Sequence, residues 1–285
     1  MTLLIIFALC TLSTTKVALQ SRFGKKFMKT TDALVLFNAL VFLSAAILFC
    51  TAIVGASLQT WLFSAAFAVF TVIFQLTYTK ALSLGNISLT VLFVNLSMLF
   101  PVIMSVIFYG ESLTFIRIFG ILLTVLSFIT CVDIKEKNPI SKKWLLLALS
   151  ATLANACIGI TQKIFGASVY HAQKESFVAC AYSIAFIITI TIYALLILRK
   201  VGGGKLQKAP IFLISMSVGV VLAVFQWLNT YAISTIDASL LFPLSSGVTI
   251  IMSTLMGIIL FRDKLSLKQG ISIAIGIAAV VIMNL

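Results

Sequence analysis

Acidic residues are scarce in this sequence. Seven Asp and Glu stand against 20 Lys and Arg in 285 residues. All seven (Asp32, Glu111, Asp133, Glu136, Glu175, Asp237 and Asp263) fall at the ends of apolar runs or between them. There is one histidine, His171, in a loop, where it is solvated. No H-E-x-x-H, G-x-S-x-G or acidic cluster occurs, so neither a metal-ligand set nor a nucleophile beside a base is on offer. An intramembrane enzyme is not expected, and no cofactor is implied. The cysteines, Cys10, Cys50, Cys131, Cys157 and Cys180, form no C-x-x-C and lie in or beside apolar runs. They read as small packing residues without a disulfide or metal role. The first run has no basic segment before it and no small-residue cleavage site after it, so no signal peptide is expected. Charged residues of both signs make up only 9% of the chain, against about 25% in a soluble domain.

What is abundant is apolar: 61% of residues are hydrophobic and the mean hydropathy is +1.20. Such a chain cannot cover a water-facing globule. Ten apolar runs stand out, at about 2–20, 31–53, 58–80, 87–109, 114–132, 144–165, 176–198, 210–233, 238–261 and 266–284. Each approaches the roughly 20 residues a helix needs to cross a bilayer and is too long for a barrel strand. The expectation is an all-α integral membrane protein, multi-pass, with the lipid bilayer as a partner. The formal net charge of +13 does not point to nucleic acid, because the basic residues sit between the runs. Sixteen of them fall in odd-numbered loops and two, Arg117 and Lys174, in even-numbered ones. The positive-inside rule then places the odd loops in the cytoplasm and both termini outside.

The longest polar stretch, DIKEKNPISKK (Asp133 to Lys143), falls mid-chain. On either side the sequence repeats itself. QLTYTKALSLGNISL (Gln75 to Leu89) answers QWLNTYAISTIDASL (Gln226 to Leu240), pairing Gln75 with Gln226 and Asn86 with Asp237. YGESLTFIR (Tyr109 to Arg117) answers FRDKLSLKQ (Phe261 to Gln269), and STTKVALQS answers ITQKIFGAS, pairing Lys16 with Lys163. The halves are 1–134 and 144–285, joined by a basic loop at 135–143. Five spans per half is odd, so consecutive copies enter the membrane in opposite senses. The fold expected is ten transmembrane helices as two inverted five-helix repeats, an organisation common in secondary transporters.

TYTKALSLGNISL, YGESLT and Gly120 in the first half, with TYAISTIDASL, FRDKLS and Gly270 in the second, resemble the drug/metabolite transporter superfamily in its ten-helix EamA-like form. The resemblance covers the whole chain. It implies transport of a metabolite or drug, most often export; the plasma membrane and a monomer or homodimer are expected. It also implies cytoplasmic termini, in disagreement with the charge rule. Each half further resembles the four-helix small multidrug exporters, which carry an essential glutamate eight residues before a lysine in their first helix. The matching positions are Ala8 and Asn155, neither of which binds a proton or a cation. This argues against proton-coupled cation export and for an anionic, zwitterionic or neutral solute. The alternative from another class is a non-transporting partner or scaffold subunit.

Candidate solute contacts are the polar residues inside the runs: Lys16, Gln75, Tyr78, Asn95, Asn155, Lys163, Gln226, Asn229, Tyr231 and Ser246. Lys16 and Lys163 are placed within a turn or two of their run ends, so either they snorkel or they line the mouth of a path. The glutamines, asparagines and tyrosines face protein or a wet cavity, because facing lipid is costly; interhelical hydrogen bonding is the plain reading and cavity lining the functional one. Trp227 and Tyr231, four apart, share a face and fit an interfacial belt equally well. Runs four and nine hold Pro101 and Pro243 among polar neighbours, which either bend during opening or are static kinks. Glu111 and Asp263 read as helix caps. Ser272 and Gly276 read as a close-packing pair, and Gly202 to Gly204 as a hinge without a phosphate-binding context.

Overall fold

A computed structural model of the chain describes residues 2–27, 30–84, 87–112, 114–131, 141–199 and 208–261, with scattered positions from 268 to 282. Ten α-helices are described: α1 (Thr2–Phe27), α2 (Thr31–Leu48), α3 (Leu58–Leu84), α4 (Ile87–Asn95), α5 (Leu99–Tyr109), α6 (Phe115–Cys131), α7 (Lys142–Ala167), α8 (Lys174–Leu198), α9 (Lys208–Thr235) and α10 (Ala238–Phe261). No strand occurs among the described residues. Six helices are long and apolar enough to span a bilayer, within α1, α2, α3, α7, α8 and α9. Shorter apolar stretches occupy 93–109, 118–127 and 238–249. Nine of the ten expected runs are therefore helical. The tenth is described only at scattered positions, and Asn86, Asp263, Ser272, Gly276, Gly202 to Gly204 and most of the central loop lie outside the described residues.

Run four departs from one continuous span. It divides into α4 and α5 around a 3-10 turn at Leu96–Met98. Pro101 contributes from downstream: it has no N–H to return to the carbonyl four residues earlier, which favours a tighter backbone there. Second-half side chains meet the irregular segment. Thr152 donates to the Phe93 carbonyl at 2.9 Å, and Asn155 Nδ2 donates to Ser97 Oγ at 2.7 Å. By contrast, α10 runs unbroken through Pro243. Gly110 ends α5 in the left-handed region, at φ 64, where glycine carries no Cβ penalty.

The two sequence halves interlock. In the first, α1 packs on α9 and α10, α2 on α8 and α9, and α3 on α7 and α8. The broken run formed by α4 and α5 lies against α7 and α10. Phe165 of α7 stacks on Phe177 of α8, centroids 4.2 Å apart, and Phe67 of α3 meets Phe177 edge-on at 5.1 Å. Polar ties supplement the packing. Ser57 caps α3, accepting from the Thr60 N–H, and Gln173 Oε1 accepts from the Ser57 N–H at 3.1 Å and the Thr60 hydroxyl at 2.7 Å.

The tightest approach is α2 against α9. A Cβ on Gly219 would overlap the Val41 carbonyl oxygen and sit 2.6 Å from the Ser44 Cβ. Ser44 is itself held there by its bond to the Met216 carbonyl, 2.9 Å. Backbone cannot rotate aside as a flexible side chain does. Gly219→Ala is therefore expected to destabilise the folded protein by about 1–3 kcal/mol, the range for overpacking, read as a lower melting temperature of purified protein. An unchanged melting temperature would mean that α2 and α9 separate freely.

Candidate functional site

A cavity of about 140 Å³ lies within the bundle, lined from α1, α3, α4, α5, α7, α9 and α10. Eight of the ten candidates border it: Lys16, Gln75, Tyr78, Asn95, Asn155, Gln226, Asn229 and Ser246. The helical period explains part of this grouping. Gln226 and Asn229 are three apart and share a face of α9. Lys163 and Tyr231 are not among the lining residues.

Three of the six cavity amides, Gln162, Gln226 and Asn229, are committed to one another. Gln162 is the centre of the network. Its Nε2 donates to Thr230 Oγ1 at 3.0 Å and to Gln226 Oε1 at 3.4 Å, and its Oε1 accepts from Asn229 Nδ2 at 3.0 Å. Gln162 was not among the sequence candidates. Its own sequence context, ITQKIF, does not mark it. Asn95 donates to its own helix, to the Val91 carbonyl at 2.8 Å. Asn155, at the position matching the exporters' glutamate, is held by Ser97. Two groups stand apart from this network. Gln75 Nε2 is buried with no hydrogen-bond partner among the described residues. Lys16 is only 6% exposed, and no acidic side chain described in the structure pairs with it. Its ammonium lies between two rings, 5.7 Å from the Phe74 centroid and 5.6 Å from that of Phe225.

The placement of Lys16 near a helix end is corrected here. Run one reads as ending near residue 20, but α1 continues to Phe27. Eleven further residues, about 16 Å of helix, separate Lys16 from that end. The apolar part of α1 ends near Ser21, but Lys16 is buried among the helices, so its ammonium is enclosed by protein and does not snorkel.

Lys163 does lie near its helix end, but it is engaged elsewhere. It forms a salt bridge with Glu111, the two side chains 11% and 10% exposed. Glu111 also accepts from the N–H groups of Ala238 at 3.2 Å and Ser239 at 3.0 Å, at the start of α10. Glu111 thus caps α10, across the halves, and not α6, the helix it precedes in sequence. Burial pushes its carboxyl up, but the Lys163 and backbone hydrogen bonds and the Lys163 charge outweigh burial and hold the carboxyl below its ordinary value. Tyr231 likewise faces away from the cavity, its ring 4.5 Å from the Lys174 ammonium.

A cavity inside a helical bundle, with polar side chains set in a largely apolar wall, is where a solute carrier would hold its cargo, and the model of the EamA-like transporter family matches residues 3–132. Over those residues the chain is similar to that family. The EamA-like region contributes α1 to α6, and with them Lys16, Gln75, Tyr78 and Asn95 on the cavity wall. The family is one of drug/metabolite transporters. Among solved structures, one protein with a crystal structure is similar over 99% of this chain and 95% of its own, with a TM-score of 0.74 and 15% identity. That likeness extends the fold over the second half and says nothing of solute. No curated protein matches the chain. An EamA-like transporter assignment is in keeping with several helices long and apolar enough to span a bilayer.

Proposed function

We propose that the protein moves a small organic solute across the membrane by alternating access, with the cavity as the solute site and the halves as inverted repeats. The carrying observation is the cavity itself, walled by polar side chains from both halves. The packing supports the repeat reading. When each first-half span is exchanged for its second-half counterpart, the contacts map onto one another. The pair α1 with α9 becomes α7 with α3, and α2 with α9 becomes α8 with α3. The pair α1 with α10 becomes α7 with the broken run of α4 and α5. Interhelical ties at the even-loop ends support a state closed on that face. They are Glu111 to Lys163 and α10, and Gln173 to Ser57 and Thr60. Export across the plasma membrane is the direction the family resemblance suggests.

Solute flux into proteoliposomes made from this chain alone tests the reading and separates a transporter from a scaffold subunit. Gln226→Leu is expected to lower that flux about tenfold, equivalent to roughly 1.4 kcal/mol of solute binding. Its melting temperature should stay near wild type, because Gln162 keeps its bonds to Thr230 and Asn229. Collapse of stability with normal flux in the surviving protein would make Gln226 packing glue.

A further inference from the structure

We propose that the solute is an organic monoanion, with its carboxylate held by Lys16 and Gln75 and its apolar remainder lying against the cavity's aromatic and aliphatic wall. The inference rests on the transporter reading and names the chemistry of its site. Among the described residues, Lys16 is the one lysine or arginine lining the cavity, and neither an Asp, a Glu nor the histidine lines it. A buried ammonium without a counter-ion is costly. Two flanking rings return only about 0.5–2 kcal/mol. The buried, unpartnered Gln75 Nε2 borders the same space and is a neutral donor beside the cation. One carboxylate, acceptor-only, satisfies both.

The charge count restricts the class further. A dianion leaves one negative charge unmatched, since no second cation lines the cavity among the described residues. A zwitterion or an amine brings an ammonium with no carboxylate to receive it. A neutral solute leaves Lys16 as it stands. The walls suit an apolar body: Phe74, Phe225, Phe242, Val91 and Ile158 all border the space. At about 140 Å³ the cavity is close to the roughly 150 Å³ void that admits benzene and well under drug-sized pockets. Small aromatic or alicyclic carboxylates fit that size.

The test is binding to full-length purified protein in chloride-free buffer, by calorimetry, of benzoate, cyclohexanecarboxylate, benzamide, benzylamine and phenylalanine. The expected result is that the two carboxylates bind at least tenfold tighter than the amide, the amine and the amino acid, and that Lys16→Met removes the preference. Lys16→Arg should retain it in part. Comparable affinity for benzamide or benzylamine, or an undiminished carboxylate preference in Lys16→Met, overturns the proposal; so does failure of both carboxylates to bind at millimolar concentration. If a neutral or cationic probe binds and Gln226→Leu weakens it, the cavity remains the solute site and only the anion assignment falls. Should Lys16→Met not fold, the wild-type probe series alone decides.

Discussion

Glu111→Ala should lower the melting temperature of the purified protein by about 10 °C. The substitution removes one member of an enclosed ion pair and leaves Lys163 unmatched, a change that costs about 3–5 kcal/mol, and each kcal/mol shifts a chain of this size by about 2–4 °C. It also deprives the first N–H groups of α10 of their acceptor. Glu111→Ala with Lys163→Met should recover part of the loss, because no charge is then left alone; only the α10 cap stays missing. The sign with pH follows from the depressed carboxyl. The contribution is fully present above the ordinary value of 4.5 and is lost as pH falls through the lower folded value. Melting temperature should therefore fall on acidification below about 4.5 in the wild type, and less steeply in Glu111→Gln. Equal melting temperatures for wild type and Glu111→Ala would show the contact to be superficial.

The expectation of a cap at Glu111 shows how far sequence alone reaches. A carboxylate just ahead of a helix is legible as a cap, and the chemistry was right. The helix was not, because α10 lies 127 residues away in sequence from Glu111 and no local pattern names a partner across the bundle. The cavity glutamine Gln226 was legible for a general reason: polar groups inside apolar spans must turn from lipid, so they collect wherever the helices converge. Tyr231 obeys the same rule and still misses the cavity, since Lys174 gives it another polar neighbour. Gln162 is not marked by its own sequence context, since its bonding partners lie on α9, 64 to 68 residues away. The break in run four was half legible. Pro101 announced a kink, but the 3-10 turn at Leu96–Met98 also depends on Asn155 and Thr152 reaching in from α7. Arg22, Lys25 and Lys26 rightly mark the end of the first apolar span, but no local pattern shows that Lys16 is buried by helices packed across the bundle.

That depth sets the largest functional effect expected of any single substitution here. Lys16→Met should reduce solute flux at least about a hundredfold, equivalent to roughly 2.7 kcal/mol, within the 2–5 kcal/mol range for truncating one partner of a buried charge pair. Its stability should not suffer, because in this structure Lys16 has two aromatic rings and no acid beside it; an apolar side chain of similar length relieves the desolvated charge and still fills the space. Lys163→Met should behave in the opposite way, losing stability through the unmatched Glu111 carboxylate. Lys174→Met, which removes only a contact to the Tyr231 ring, should leave flux near wild type. The measurement is flux in both directions across proteoliposomes at matched protein levels, paired with melting curves for all three variants. The paired readout separates the roles: a fall in flux without a fall in melting temperature marks Lys16 as a solute contact. Full flux in Lys16→Met together with a lower melting temperature would make it a packing residue, and the charge in STTKVALQ a feature of the fold.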